Sequence, residues 1–130
     1  MNQQDKNKVD VTGELGAMLM WQDKLSATLG VYDLPKEEAI KAMIECLTVE
    51  AAETLAHFLT KTKPWKPQVV NMDEVKEEAI DILHFLLAFF NLMDMGPEAI
   101  VEEYRRKNLI NYERVAAKMA ALKASQDEAK

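Results

Sequence analysis

Apolar residues recur at intervals of three and four along most of the chain, which is the pattern of helices that pack on one face. The first stretch runs from Thr12, a possible helix cap, to about Leu29. The apolar stripe of this stretch consists of Leu15, Met18, Leu19, Leu25 and Leu29, with Gln22 as a polar exception. A second stretch begins at Asp33, with Pro35 in the first helical position, and runs to about Thr60. No stretch alternates as a strand does, so the pattern predicts an all-α protein.

The third helix follows a segment that cannot be helical. Two prolines in residues 63–67 predict a loop there. The helix then begins at Asn71 or Asp73, either of which can cap it, and ends near Asp94. Residues 82–90 are apolar on nearly every side and must be buried on every side, which so few helices can hardly achieve. We therefore expect an antiparallel helical bundle that is completed by homo-oligomerisation, as a dimer or a tetramer.

The last helical stretch starts after Met95-Gly96, where Pro97 can open a helix. It is predicted to run to about Lys107, to break near residues 108–111 and to resume to about Leu122. The bundle then has four helices, or five if the two parts of this stretch are counted separately.

Length and charge restrict the class of protein. At 130 residues and 14.8 kDa, the chain predicts one domain over residues 11–123, with flexible ends at 1–10 and 124–130. The net charge of −6 argues against a polymeric nucleic acid as partner. The start of the chain lacks an apolar signal region, and the longest apolar stretch, 85–90, is too short to span a bilayer. The default expectation is a cytoplasmic protein without a membrane partner.

Two acidic pairs at helical spacing carry the candidate chemistry. Glu50 and Glu53 form one pair, and Glu78 and Asp81 form the other, so each pair places two carboxylates on one helix face. Such pairs are common on solvated helices, but these two border apolar faces, where a carboxylate needs a cation or a hydrogen-bonding partner. Mg²⁺ prefers oxygen ligands and often bridges carboxylates to phosphates.

A third motif adds a possible phosphate-binding side. Tyr104, Lys107, Asn111 and Arg114 follow one stripe of the last helical stretch. Arginine can hold phosphate oxygens with its fork of donors, and lysine supplies a mobile charge. Together with the acidic pairs, this stripe indicates Mg²⁺-dependent chemistry on a nucleotide.

In their order and spacing, these motifs resemble the all-α NTP pyrophosphatase superfamily, which contains the dimeric dUTPases and the MazG-like proteins. The similar region covers about residues 18–114. Residues 81–87 and 63–66 look most like the dimeric dUTPases, and Gln22 is similar to a glutamine motif of that branch. The branch usually continues with Gln and a later Gly-Tyr after the arginine, whereas here Arg114 is followed by Val115-Ala116-Ala117-Lys118.

The resemblance implies that dUTP is hydrolysed to dUMP and pyrophosphate with Mg²⁺, which Mn²⁺ could replace. The metal would polarise the phosphates and activate a water molecule, which Glu50 would orient or deprotonate. The implied catalytic and metal-binding residues are Glu50, Glu53, Glu78 and Asp81. The implied substrate-binding residues are Gln22, Lys63, Trp65, His84, Tyr104, Lys107, Asn111 and Arg114.

Three other functions remain open. A general MazG-like house-cleaning pyrophosphatase would not select uracil. A di-iron carboxylate protein would use Asp81 and His84, but that class needs two Glu-x-x-His motifs and the chain offers one loose version. A non-enzymatic helical interaction module would leave the acids merely solvated. For individual residues, His84 could equally be a satisfied core histidine, Trp65 could pack its own loop, and His57 is expected to be structural.

Overall fold

The computed structural model describes residues 12–59, 65 and 69–130, and none of these residues forms a strand. The helices are α1 (Thr12–Thr28), α2 (Lys36–Ala56), α3 (Met72–Leu92) and α4 (Pro97–Glu128). A short 3₁₀ turn, Val31–Asp33, follows α1. The all-α class predicted from the sequence is therefore confirmed.

The start of α2 differs from its prediction. Asp33 does not open the helix but ends the 3₁₀ turn, which follows Gly30 at a φ of +79°. Leu34 is extended, with φ −79° and ψ 150°, because a following proline disfavours helical backbone. Helix α2 thus begins only at Lys36, with Pro35 at the cap position.

The start of α3 agrees with its prediction, and Asn71 rather than Asp73 is the cap. Its side-chain oxygen accepts hydrogen bonds from the backbone N–H groups of Asp73 and Glu74, at 3.1 and 3.4 Å. These donors have no partner within the helix, so the cap stabilises its first turn.

Helices α2 and α3 run antiparallel to each other. Lys36, at the start of α2, forms an ion pair of 3.0 Å with Asp94, just beyond the end of α3. His57, just beyond the end of α2, hydrogen-bonds Glu78 in the first half of α3. The main hydrophobic core lies between these two helices and contains the buried residues Ala39, Met43, Ala88 and Leu92.

Helix α1 packs against α3, again antiparallel. The side-chain amide of Asn91 donates to the backbone oxygen of Leu19 at 2.9 Å, while Gln22, further along α1, contacts His84, earlier on α3. Helix α3 therefore contacts both other helices of this unit. Within its apolar segment 82–90, Leu87 and Ala88 are buried, whereas the other apolar residues are only half-buried.

The predicted apolar stripe of α1 is confirmed at Leu19 and wrong at its C-terminal end. Its buried residues are Leu19, Gln22 and Ser26, whereas Leu25 and Leu29 are 43% and 69% exposed. Gln22 and Ser26 can be buried because they are hydrogen-bonded. Gln22 pairs with Ser26 within α1 and with His84 on α3, and these bonds offset the cost of burying polar groups.

The predicted break at residues 108–111 is also wrong, since α4 is continuous from Pro97 to Glu128 and passes Leu122. No glycine or proline follows Pro97 in α4, and asparagine weakens a helix only mildly. The chain divides into two compact units, one ending at Gly96 and one beginning at Pro97, and each is described by itself. Among the described residues, no single helix is long and apolar enough to cross a membrane.

Candidate functional site

The structure brings the two predicted acidic pairs together between α2 and α3. The pKa of Glu50 is raised above its usual value, first of all by partial burial. The negative charges of Glu53, Asp81 and Glu78 and a hydrogen bond with Glu53 raise it further. A raised pKa is expected where like charges share a site, because each disfavours ionisation of the next. We call Glu50, Glu53, Glu78 and Asp81 the acidic cluster.

Glu78 differs from the other acids in its surroundings. Its side chain is 23% exposed, and its Oε1 atom lies 2.9 Å from Nε2 of His57. Its Oε2 atom is buried and has no hydrogen-bond partner among the described residues. A buried oxygen without a partner is costly and points to a binding group that would satisfy it.

The acidic cluster fits Mg²⁺ in the chemistry of its donors. Carboxylate oxygens are the ligands that this ion prefers, and Oε2 of Glu78 is one such oxygen without a hydrogen-bond partner among the described residues. Within residues 12–59 and 69–130, however, no three acidic, histidine or cysteine side chains converge closely enough to hold an ion as they stand. The repulsion that raises the pKa of Glu50 opposes closer approach of these carboxylates without a cation.

A cavity of about 370 Å³ adjoins the acidic cluster in the unit formed by α1, α2 and α3. Its lining residues are Gln22, Leu25, Ser26, Leu29, Val31, Met43, Glu50, Asp81, His84 and Phe85. The volume lies in the range of small-ligand sites, and such sites combine apolar walls with a few placed polar groups. Two members of the acidic cluster therefore share one cavity with the predicted substrate residues Gln22 and His84.

The polar side chains of this cavity form a connected chain. Nδ1 of His84 lies 2.7 Å from Oε1 of Gln22, and Nε2 of Gln22 donates to Oγ of Ser26 at 3.2 Å. Because an amide oxygen only accepts, Nδ1 of His84 carries the hydrogen. Among the described residues, no further partner takes the second amide hydrogen of Gln22, which could therefore bind a ligand. The sequence reading missed Ser26, although its position one turn after Gln22 was a usable signal.

A second, apolar cavity of about 340 Å³ lies on α1 and α3 and shares Gln22, Leu25 and His84 with the first. The other residues that line it are Met18, Trp21, Ile80, Leu83 and Leu87. Trp21 and Ile80 are largely exposed, so part of this apolar surface faces outward.

A sequence model of the family described as dUTPase matches residues 14–97, which is more than half of the chain. The chain belongs to the all-α dUTPase family. Membership of this family implies a nucleotide hydrolase and a nucleotide substrate. No curated protein and no solved structure matched the chain.

The dUTPase match includes the acidic cluster, Gln22 and His84. It also includes two predicted substrate residues of the segment before α3, Lys63 and Trp65. Trp65 lies in a turn and is 74% exposed. Lys63 lies outside the described residues. Contact of either side chain with a nucleotide stays a prediction.

The dUTPase match ends before the third predicted motif, which lies on α4. Since α4 is continuous, Tyr104, Lys107, Asn111 and Arg114 occupy successive turns of one face, and all four are exposed. The neighbouring Arg106 is held by Glu103 through both of its forked donors. Within the described chain, no ion pair engages Lys107 or Arg114, and their role in binding phosphate stays a prediction.

Proposed function

We propose that this protein hydrolyses dUTP to dUMP and pyrophosphate in a Mg²⁺-dependent reaction. The observation that carries the proposal is the cavity beside the acidic cluster. Gln22 and His84 line it, and so do Glu50 and Asp81. One cavity thus offers hydrogen-bonding groups for a base and carboxylates for the metal ions that accompany phosphates.

The base preference follows from the remaining amide hydrogen of Gln22. Uracil presents a carbonyl oxygen that can accept this hydrogen, whereas cytosine presents an amino group at the same position. Two donors would then face each other, which leaves a buried donor unpaired at about 1–3 kcal/mol. That penalty corresponds to roughly tenfold or more in selectivity.

The acidic cluster supplies the proposed catalytic residues. Mg²⁺ would be held by Glu50, Glu53, Glu78 and Asp81. When bound, the ion would offset the negative charge of the phosphate oxygens and make the attacking water easier to deprotonate. We assign Glu50 to accept the proton, because it lines the cavity together with Gln22 and His84. The water oxygen bonds to the α-phosphorus. The bond between that phosphorus and the oxygen that bridges the α- and β-phosphates breaks, and pyrophosphate leaves.

A panel of dUTP, dCTP, dTTP and dATP tests this proposal, with pyrophosphate release measured as kcat/KM in the presence of Mg²⁺. We expect dUTP to exceed dCTP by about tenfold or more and EDTA to abolish the reaction. Roughly equal values would favour a general MazG-like pyrophosphatase. Preference for another base would reject uracil selectivity, and hydrolysis that persists in EDTA would reject the metal dependence.

A further inference from the structure

His57 is a residue that the proposed mechanism does not use. It lies in the turn that follows α2, and its side chain is 23% exposed. It reaches across to α3, where its Nε2 atom lies 2.9 Å from Oε1 of Glu78. The contact thus joins the end of one helix to an acid of the cluster on the other.

The hydrogen bond gives the two oxygens of Glu78 different surroundings. An ionised carboxylate only accepts hydrogen bonds, so Nε2 of His57 carries the hydrogen and donates it to Oε1. With Oε1 engaged, rotation of the carboxylate is restricted. The other oxygen, Oε2, is the buried atom that has no partner among the described residues.

His57 has one further acidic neighbour. Its Nδ1 atom lies 3.9 Å from Oε2 of Glu74, which is beyond hydrogen-bonding distance. Glu74 is also largely exposed, so water can satisfy it. The direct contact of the imidazole with an acid is therefore the one with Glu78.

We propose that His57 is a positioning residue of the acidic cluster: it holds Oε1 of Glu78 so that Oε2 is presented to a divalent cation. This inference rests on the proposed metal-dependent function. Groups that orient a metal ligand through a hydrogen bond typically change metal affinity by about 10- to 100-fold when they are removed. A merely structural contact at the end of α2 would leave the affinity unchanged.

Binding of Mn²⁺ to the protein without nucleotide, followed by electron paramagnetic resonance, tests the inference without an activity assay. We expect His57→Leu to weaken Mn²⁺ binding by about tenfold or more. His57→Gln places an amide donor at a similar reach and should bind within about threefold of wild type, whereas the shorter side chain of His57→Asn should not rescue binding. Circular dichroism checks folding, and if His57→Leu does not fold, the Gln and Asn variants decide.

Tyr32→Phe is the matched control, because Tyr32 also donates a side-chain hydrogen bond to a carboxylate, that of Asp23, away from the acidic cluster. It should leave Mn²⁺ binding unchanged. In a Glu78→Gln background, His57→Leu should cause no further loss, since the histidine acts through that carboxylate. The inference is overturned if His57→Leu binds Mn²⁺ with wild-type affinity, or if it loses as much affinity in the Glu78→Gln background as in wild type. Either result leaves the proposed function standing. If wild-type protein does not bind Mn²⁺, the proposed metal dependence fails and the inference fails with it.

Discussion

The surroundings of each carboxylate decide what it can do in this protein. Glu45, on α2, is exposed and lies 4.0 Å from Lys41, an arrangement that contributes little to stability. Glu50, about one turn further along the same helix, has a raised pKa because it is partly buried and faces three other acids. The like charges of the acidic cluster therefore repel one another, and a bound cation would relieve that repulsion.

Removing one charge from the acidic cluster should abolish catalysis and leave the fold intact. Glu53→Gln and Asp81→Asn keep the size of the side chain but remove a negative metal ligand, so we expect kcat/KM to fall by about 100-fold or more. The melting temperature without metal should stay the same or rise, because the remaining carboxylates of the acidic cluster repel one another less. Glu45→Gln is the matched control and should retain full activity; variants of Glu53 and Asp81 with nearly wild-type activity would refute the metal assignment.

Changing Gln22 from donor to acceptor should shift the base preference. Gln22→Glu can still accept from His84 but no longer has an amide hydrogen to give to a uracil carbonyl. We expect the ratio of kcat/KM for dUTP over dCTP to fall by about tenfold or more. Gln22→Met is the comparison variant, because it removes both the acceptor for His84 and the amide hydrogen. It should lower kcat/KM for dUTP and for dCTP. An unchanged ratio in the glutamate variant would remove Gln22 from base recognition.

At the scale of the helices, α3 joins the parts of the site. Its first turn is capped by Asn71, its next turns carry Glu78 and Asp81, and His84 follows on the same helix. The later turns contribute Ala88 and Leu92 to the hydrophobic core. The stability of this helix therefore bears directly on the acidic cluster.

Loss of the cap should weaken the start of α3. Asn71→Ala removes the acceptor for two backbone N–H groups, so we expect the free energy of unfolding to fall by about 1 kcal/mol. Asn71→Asp keeps an acceptor and should stay near wild type. Urea unfolding monitored by circular dichroism measures both variants, and an alanine variant as stable as wild type would show that the cap contributes nothing.

The sequence predicted the spacing within helices better than the exact helix ends, and it predicted contacts between helices poorly. The cap at Asn71 and the acidic pairs depend on spacing within one helix, and the structure has both. The burial of Gln22 on α1 depends on a hydrogen bond that it accepts from His84 on α3, which periodicity along α1 cannot register. The partner of Glu78 was missed for the same reason, since His57 lies before the loop and Glu78 after it.

At the scale of the whole molecule, apolar surface on α1 and α3 supports the expectation of a homo-oligomer. Trp21 and Ile80 are 62% and 53% exposed, and both line the apolar cavity. Contiguous exposed apolar surface of this kind is typical of sites where proteins associate.

Light scattering coupled to size exclusion should therefore give a mass of at least twice 14.8 kDa at micromolar concentration. Trp21→Glu places a charge on the apolar surface and should lower this mass. Trp65→Glu is the matched control, because Trp65 is also exposed but lies in another segment, and it should leave the mass unchanged. A stable monomer of wild-type protein would contradict the expectation.

Helix α3 also sets a distance. Asp81 and His84 are three residues apart, which is about 4.5 Å along the axis of a helix. Under the proposed function, the group that handles phosphate and the group that helps hold the base are thus spaced by the rise of a rigid helix. We therefore expect the cavity to select substrates by the length of the sugar, because an acyclic or extended nucleotide would not reach both groups at once.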